Sequence, residues 1–206
     1  ATASMLALQG SYEEADRLLQ QALDLQEAAG DEHGSIATLY LLACVAVEQK
    51  ALDRAEDLGR RALALCDKLQ EREEQVNILD MLSHLYRRQN CLDLAQACAE
   101  QSFQLLRSMG DLVTQAQVLY GLSMIYKSKQ EYDQALEIGL QGLELCQRWD
   151  YTLLRAYLLI HVGDVHKELG QAGEAQQRWH EALAIAEKLQ HPKAIELATS
   201  RLAVRQ

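Results

Sequence analysis

Apolar residues return along this chain at helical intervals. One set is Leu39, Leu42, Ala43 and Ala46; the next is Leu79, Leu82, Ser83 and Tyr86. A third is Leu119, Leu122, Ser123 and Tyr126, and a fourth is Leu159, Val162, Gly163 and His166. Spacing of i, i+3, i+4 and i+7 puts each set on one face of a helix. A second pattern falls between these stripes. The run Gly10-Ser-Tyr12-Glu-Glu-Ala15 returns as Lys50-Ala-Leu52-Asp-Arg-Ala55 and Asn90-Cys-Leu92-Asp-Leu-Ala95. It returns again as Gln130-Glu-Tyr132-Asp-Gln-Ala135 and Gly170-Gln-Ala172-Gly-Glu-Ala175. The key alanines stand 40 residues apart without drift, and seven residues after each comes a small residue: Ala22, Ala62, Ser102, Gly142 or Ala182. Small side chains at that spacing let two helices approach closely.

Each unit therefore reads as a helical hairpin, with a tight turn around residues 50, 90, 130 and 170. Asn90 and Gly170 suit a left-handed cap there. The links between hairpins fall at Gly30-Asp31, Gln70-Glu71, Gly110-Asp111, Arg148-Trp-Asp150 and His191-Pro192. Asp31 and Asp111 are expected as N-caps after a glycine stop, and Pro192 suits the first turn of a last helix. The expected units are 1–30, 31–70, 71–110, 111–150 and 151–190, with a terminal helix over 192–206. No linker rich in Pro, Gly or Ser divides them, so the whole of 1–206 is expected to form one array. Both ends stop inside amphipathic stretches, from which a fragment of a larger protein is expected.

Composition sharpens this picture. Ala, Leu, Gln and Glu dominate and there is a single proline, a mix that favours helix because such side chains lose little freedom in one. The formal net charge is −10, so phosphate backbones are repelled and nucleic acid is not an expected partner. No apolar stretch approaches the length that spans a bilayer, so no membrane partner is expected. The five cysteines (Cys44, Cys66, Cys91, Cys98 and Cys146) form no CxxC pair and their number is odd. They read as small core residues in a reducing compartment, hence cytoplasmic.

On these residues the sequence resembles the tetratricopeptide repeat family. The unit over 151–190 carries the resemblance best, through Leu159, Val162-Gly163, Gly170, Ala175, Trp179 and Ala182. The usual unit is about 34 residues, so this one is longer by roughly six. Long units of this kind resemble those of kinesin light chain and of bacterial peptide-sensing and signalling regulators. The resemblance implies an all-α, right-handed superhelical solenoid of antiparallel helix hairpins, about five repeats plus a C-terminal helix. It also implies a concave groove lined by the first helix of each hairpin. In that register the lining positions are Ala37, Tyr40, Cys44, Val47 and Glu48, then Asn77, Asp80, His84, Arg87 and Arg88. They continue with Gln117, Tyr120, Met124 and Lys127, and end with Tyr157, Ile160, Asp164 and Lys167. Members that bind chaperone tails carry a clamp of lysines and asparagines; the matching places here hold Tyr40, Cys44, Met81, Gln117 and Gly121, so that ligand is not expected.

Chemistry finds little footing. There is no GxxxxGK[ST] to cradle phosphates and no HExxH. Trp179-His180-Glu181 lacks a second histidine, and His161 with Asp164 supplies two ligands where a stable metal site needs three or four. Ser83 and His84 are adjacent, so on a helix they point in different directions. No enzyme activity, cofactor or metal is expected. The expected function is a protein- or peptide-binding scaffold, the regulatory or adaptor part of a larger signalling protein. Arg87, Lys127 and Lys167 recur at one repeat position as a basic row. Two accounts of that row stand side by side: an acidic or carboxylate-terminated segment lies along it, or each cation pairs with acids on neighbouring turns, such as Glu168 or Glu131. The tyrosines Tyr40, Tyr120 and Tyr157 favour interfaces, and Asn77 and Gln117 can bond a peptide backbone. The alternative function is self-association, motivated by apolar residues near the two ends (Leu6, Leu8, Leu197 and Leu202), which allows a homodimer.

Overall fold

The computed structural model describes residues 11–149 and 151–203. Among them are ten α-helices and no strand: α1 (Tyr12–Ala29), α2 (Glu32–Glu48), α3 (Leu52–Leu69), α4 (Arg72–Arg88), α5 (Leu92–Met109), α6 (Leu112–Ser128), α7 (Tyr132–Arg148), α8 (Thr152–Glu168), α9 (Ala172–Lys188) and α10 (Pro192–Ala203). The even-numbered helices α2, α4, α6 and α8 open hairpins closed by α3, α5, α7 and α9, so four complete hairpins stand between α1 and α10. Residues 1–10 and 204–206, with Leu6 and Leu8 and the outer parts of the first and terminal units, lie outside the described residues, as does Asp150.

Eight helix ends among the described residues repeat one turn. Gly30, Lys50, Gln70, Asn90, Gly110, Gln130, Gly170 and Gln190 all have positive φ, between 52° and 75°. The residue after each donates its N–H back five positions, as Asp31 does to Gln26 O and Ala51 to Ala46 O. This is the Schellman closure, which satisfies carbonyls the helix would otherwise orphan. The spacing is therefore 20 residues, the same turn serving within hairpins and between them. Asn90 and Gly170 sit there as the sequence implies; Lys50, Gln70, Gln130 and Gln190 take the same conformation without the residue type that favours it. The N-caps at Asp31 and Asp111 form, accepting from Gly34 N and from Val113 N and Thr114 N respectively, and Pro192 opens α10.

The chain divides into two compact units, residues 1–105 and 106–206, with the division inside α5. In the first, α2 packs on α1, α3 and α4. In the second, α8 packs on α6, α7, α9 and α10. An opening helix thus touches its own hairpin partner, the preceding closing helix and the next opening helix, and it buries more than the single stripe read from sequence. Ser35, Ile36, Thr38, Leu39, Leu42, Ala43, Val45 and Ala46 are all buried in α2. The closing helices keep one stripe, as with Ala55, Leu58, Gly59, Ala62 and Cys66 in α3.

The key alanines Ala15, Ala55, Ala95, Ala135 and Ala175 are at most 1 % exposed. Their small size brings the two helices of a hairpin close enough for a side-chain hydroxyl to reach the alanine carbonyl. Ser83 Oγ donates to Ala95 O at 2.9 Å, and Ser123 Oγ donates to Ala135 O at 2.5 Å. In the last hairpin Gly163 replaces the serine, and Trp179 fills the space, its Nε1 donating to Ile160 O at 3.2 Å.

Candidate functional site

The lining positions read from sequence lie on α2, α4, α6 and α8, and each unit is described on its own. In the first unit Tyr40 on α2 is half-buried and interacts with Cys44 one turn on and with Asp80 on α4. Burial first, then Cys44 and Asp80, push the Tyr40 phenol up to about 12. Burial likewise raises the Cys44 thiol, although its hydrogen bond with Tyr40 works the other way. The surrounding protein pushes the Asp80 carboxyl above the usual carboxylate range, while His84, whose Nε2 lies 3.8 Å from Asp80 Oδ1, pulls it down. A thiol raised in this way is a poor nucleophile at neutral pH. Asn77, His84 and Arg88 are exposed and Arg87 is half-buried. Neither Arg87 nor Arg88 makes an ion pair with another described residue.

The second unit is organised around Asp164. Its Oδ1 accepts from Arg201 Nε on α10 at 2.8 Å, and its Oδ2 stands 3.8 Å from Lys127 Nζ on α6. The Asp164 side chain is only 15 % exposed. The hydrogen bond to Asp164 is the main reason the Arg201 guanidinium is held above its ordinary value. Three opening helices thus meet at one carboxylate. Beside it the Tyr120 ring stands edge-on to His161, with centroids 5.6 Å apart, and Tyr157 stands edge-on to His191 at 6.1 Å. Gln117 and Lys167 are exposed and Met124 is half-buried. Lys167 forms no ion pair with another described residue.

Three expectations are corrected. Ile160 does not line this face: it is 5 % exposed and belongs to the core of α6 to α10, with Leu158, Leu159 and Val162. The acids named for the basic row are not its partners. Lys127 turns to Asp164 on the next opening helix, and it is Lys129 that approaches Glu131, at 3.7 Å. Finally, Leu197 is not a free apolar end; it packs against the same core. His161 and Asp164 also part company. His161 is buried and shares a 2.8 Å hydrogen bond with Ser123 Oγ, whereas Asp164 serves the two cations. Arg201 was missed as a partner on this face. Its signal was available, since it stands 40 residues after His161 and so occupies the lining helix of a sixth unit.

Two family models described as tetratricopeptide repeat match the chain, over residues 2–68 and 116–147. No curated protein matches the sequence. Solved structures agree on the fold. BtubC from P. vanneervenii superposes with a TM-score of 0.80 at 21 % identity, covering 93 % of this chain and 81 % of that one. A signal transduction ATPase with numerous domains from Pyrococcus horikoshii, which has a tetratricopeptide repeat sensor, gives 0.87 at 16 % identity, covering 100 % of this chain and 32 % of that one. A Rap protein complexed with competence and sporulation factor gives 0.79 at 12 % identity, over 94 % of this chain and 54 % of that one. The alanine register, the hairpins and these matches define a helical-repeat fold. The chain is a tetratricopeptide repeat protein with long, 40-residue units.

Proposed function

We propose that this chain is a non-enzymatic binding module and that the opening-helix face of its second unit takes a protein or peptide segment bearing carboxylates. The observation that carries the reading is the charge on that face. Lys127, Lys167 and Arg201 stand against one carboxylate, Asp164, in a chain whose formal net charge is −10. Local excess of one sign draws and orients a ligand of the other. Tyr120 and Tyr157 add flat rings with a polar end, suited to a contact that is partly wet. The complex of the similar Rap protein with competence and sporulation factor supports a ligand-binding role for a chain of this fold.

Several groups that would be needed for catalysis are already engaged. Ser83 and Ser123 are buried with their hydroxyls committed to backbone carbonyls, and His84 points away toward Asp80. Burial pushes the thiols of Cys66 and Cys146 up to about 11, where little thiolate exists at neutral pH.

The test uses arrays of decapeptides graded in Asp and Glu content, probed with the wild-type chain and with the Lys127→Glu, Lys167→Glu double variant. Wild-type binding should climb with carboxylate content, and the double variant should bind at least tenfold more weakly with unchanged helical circular dichroism. Binding indifferent to peptide charge, or equal in the two proteins, overturns the proposal.

A further inference from the structure

The turns that join hairpins differ in character between the two units. In the second unit they expose Met109 and Val113 around α6, Trp149 and Leu153 around α8, and Leu189 before α10, each more than a third exposed. These residues occupy only two repeat positions. Met109, Trp149 and Leu189 precede the link by one or two residues, and Val113 and Leu153 lie in the first turn after it. The helices they introduce pack side by side, α6 on α8 and α8 on α10. Equivalent residues on neighbouring packed helices stand about 8–10 Å apart. The five side chains therefore form one apolar ridge roughly 20 Å long.

Cations flank the ridge. Arg107, Arg148, Lys188 and Lys193 are all exposed, and none forms an ion pair with another described residue. Arg148 instead lies over the Trp149 ring, 5.9 Å from its centroid. Nearby acids by sequence are Glu144 and Glu187 in the last turns before the links, Asp150 in a link itself, and Asp111, whose carboxylate is spent on capping α6. At the position after the link the first unit is polar, with His33 and Glu73 where the second has Val113 and Leu153, while at the position before it stand Ala29 and Leu69. Of its cations there, Arg61 pairs with Glu27 at 2.7 Å and Lys68 with Glu32.

We infer that this ridge, made by the inter-hairpin turns of the second unit, is a second docking surface whose occupant is an acidic amphipathic helix of a partner protein. The spacing favours a helix. Two turns of α-helix, seven residues, advance about 10.5 Å, close to the step from one turn of the ridge to the next. Apolar side chains at i, i+4, i+7 and i+11 then meet Met109 and Val113, Trp149 and Leu153, and Leu189 in order. Carboxylates on the flanks of that helix meet Arg107, Arg148, Lys188 and Lys193. The occupant is a local one. An anionic bilayer would face the whole chain and its charge of −10, whereas a bound helix lies within a Debye length only of the groups around these turns, the four cations among them.

The experiment measures fluorescence anisotropy with a fluorescein-labelled synthetic helix of about 15 residues, roughly 22 Å long. It has leucines at i, i+4, i+7 and i+11, and glutamate and alanine elsewhere. The glutamate peptide should bind the wild-type chain, and the same peptide with lysine for glutamate should not. Trp149→Glu and Leu189→Glu, both at exposed sites, should each weaken binding at least tenfold. Leu25→Glu, at an apolar residue 73 % exposed on α1, should leave binding unchanged. In the Lys127→Glu, Lys167→Glu background, Trp149→Glu should still weaken binding at least tenfold, which separates this surface from the opening-helix face. Failure of the glutamate peptide to bind, or equal binding by Trp149→Glu, overturns the inference. So does a sedimenting wild-type dimer that Trp149→Glu makes monomeric without any peptide binding, which would assign the ridge to a second copy. Capture by phosphatidylserine vesicles in place of the peptide would assign it to a membrane and overturn it equally.

Discussion

Gly163 and Trp179 form a matched pair, and their coupling gives a sharp prediction. A Cβ on Gly163 would lie 2.5 Å from Trp179 Nε1 and 2.6 Å from its Cδ1, with Ala175 O at 3.2 Å. The indole is 5 % exposed and anchored through Nε1 to Ile160 O, so it has no room to turn aside. Overpacking of this kind costs about 1–3 kcal/mol, and disturbing the buried hydrogen bond adds about 1 kcal/mol. Alanine in place of glycine inside a helix returns about 1 kcal/mol. Gly163→Ala should therefore destabilise by about 1–3 kcal/mol, and Trp179→Ala alone by about 3–5 kcal/mol. In the Trp179→Ala background the clash is gone, so Gly163→Ala should stabilise by about 0.5–1 kcal/mol. The sign of one substitution thus reverses with the other, a coupling of about 2 kcal/mol. Urea unfolding followed by circular dichroism on the four proteins measures it, with constant m-values confirming that the same structure unfolds. A Gly163→Ala variant that gains stability while Trp179 is present would refute the packing argument.

Other consequences of the structure are equally open to measurement. Ser102 is fully buried and its hydroxyl has no hydrogen-bond partner among the described residues, at a position where other repeats hold alanine or glycine. Ser102→Ala should raise stability by about 1 kcal/mol, seen as a melting temperature higher by roughly 2–4 °C. Gln130 has φ of 64°, and Gln130→Gly should stabilise by about 0.5–1 kcal/mol while Gln130→Ala does not. Gln70→Gly should gain less in the same denaturation assay, because Gln70 Nε2 donates to Asp67 O at 2.8 Å and that bond would be lost. With a disulfide dye at pH 8, exposed Cys91 should react first, and Cys66 and Cys146 only on unfolding. Those two thiols hold their protons up to about pH 11 when folded, whereas unfolded thiols release theirs near the ordinary thiol value of 9.0. Unfolding then releases protons, so stability should fall as pH rises from 9 toward 11.

The repeat itself was legible because it depends on local volume. An alanine every 40 residues, followed by a small residue, states where two helices must touch, and Ala55, Ala95, Ala135 and Ala175 are buried as that requires. The glycine and asparagine turns were legible for the same reason. Lys50, Gln70, Gln130 and Gln190 were not, since nothing in their chemistry favours positive φ; the packed helices on either side impose it. The partners of the inner face were also hidden. Whether Lys127 meets Glu131 or Asp164 depends on how one hairpin stacks on the next, and spacing along one helix does not contain that. Ile160 was misplaced because a lining helix that touches three neighbours leaves a narrower open face than an amphipathic stripe suggests. Arg201 was overlooked because α10 was read as a terminal helix rather than as the opening helix of a further unit.

The turn that recurs every 20 residues also bears on how the chain is made. In every pair of packed helices described, a helix meets only its next neighbour in sequence or the one after. Even a bond between two opening helices, Ser123 to His161, spans 38 residues. Such locality gives a low contact order and fast folding. A ribosome supplies about 5–20 residues per second, so a 40-residue hairpin emerges in roughly 2–8 seconds. Helix formation takes about a microsecond, far less than that interval. Each hairpin is thus able to dock on its predecessor before the next is finished, and the growing end carries a single uncovered helix face throughout synthesis.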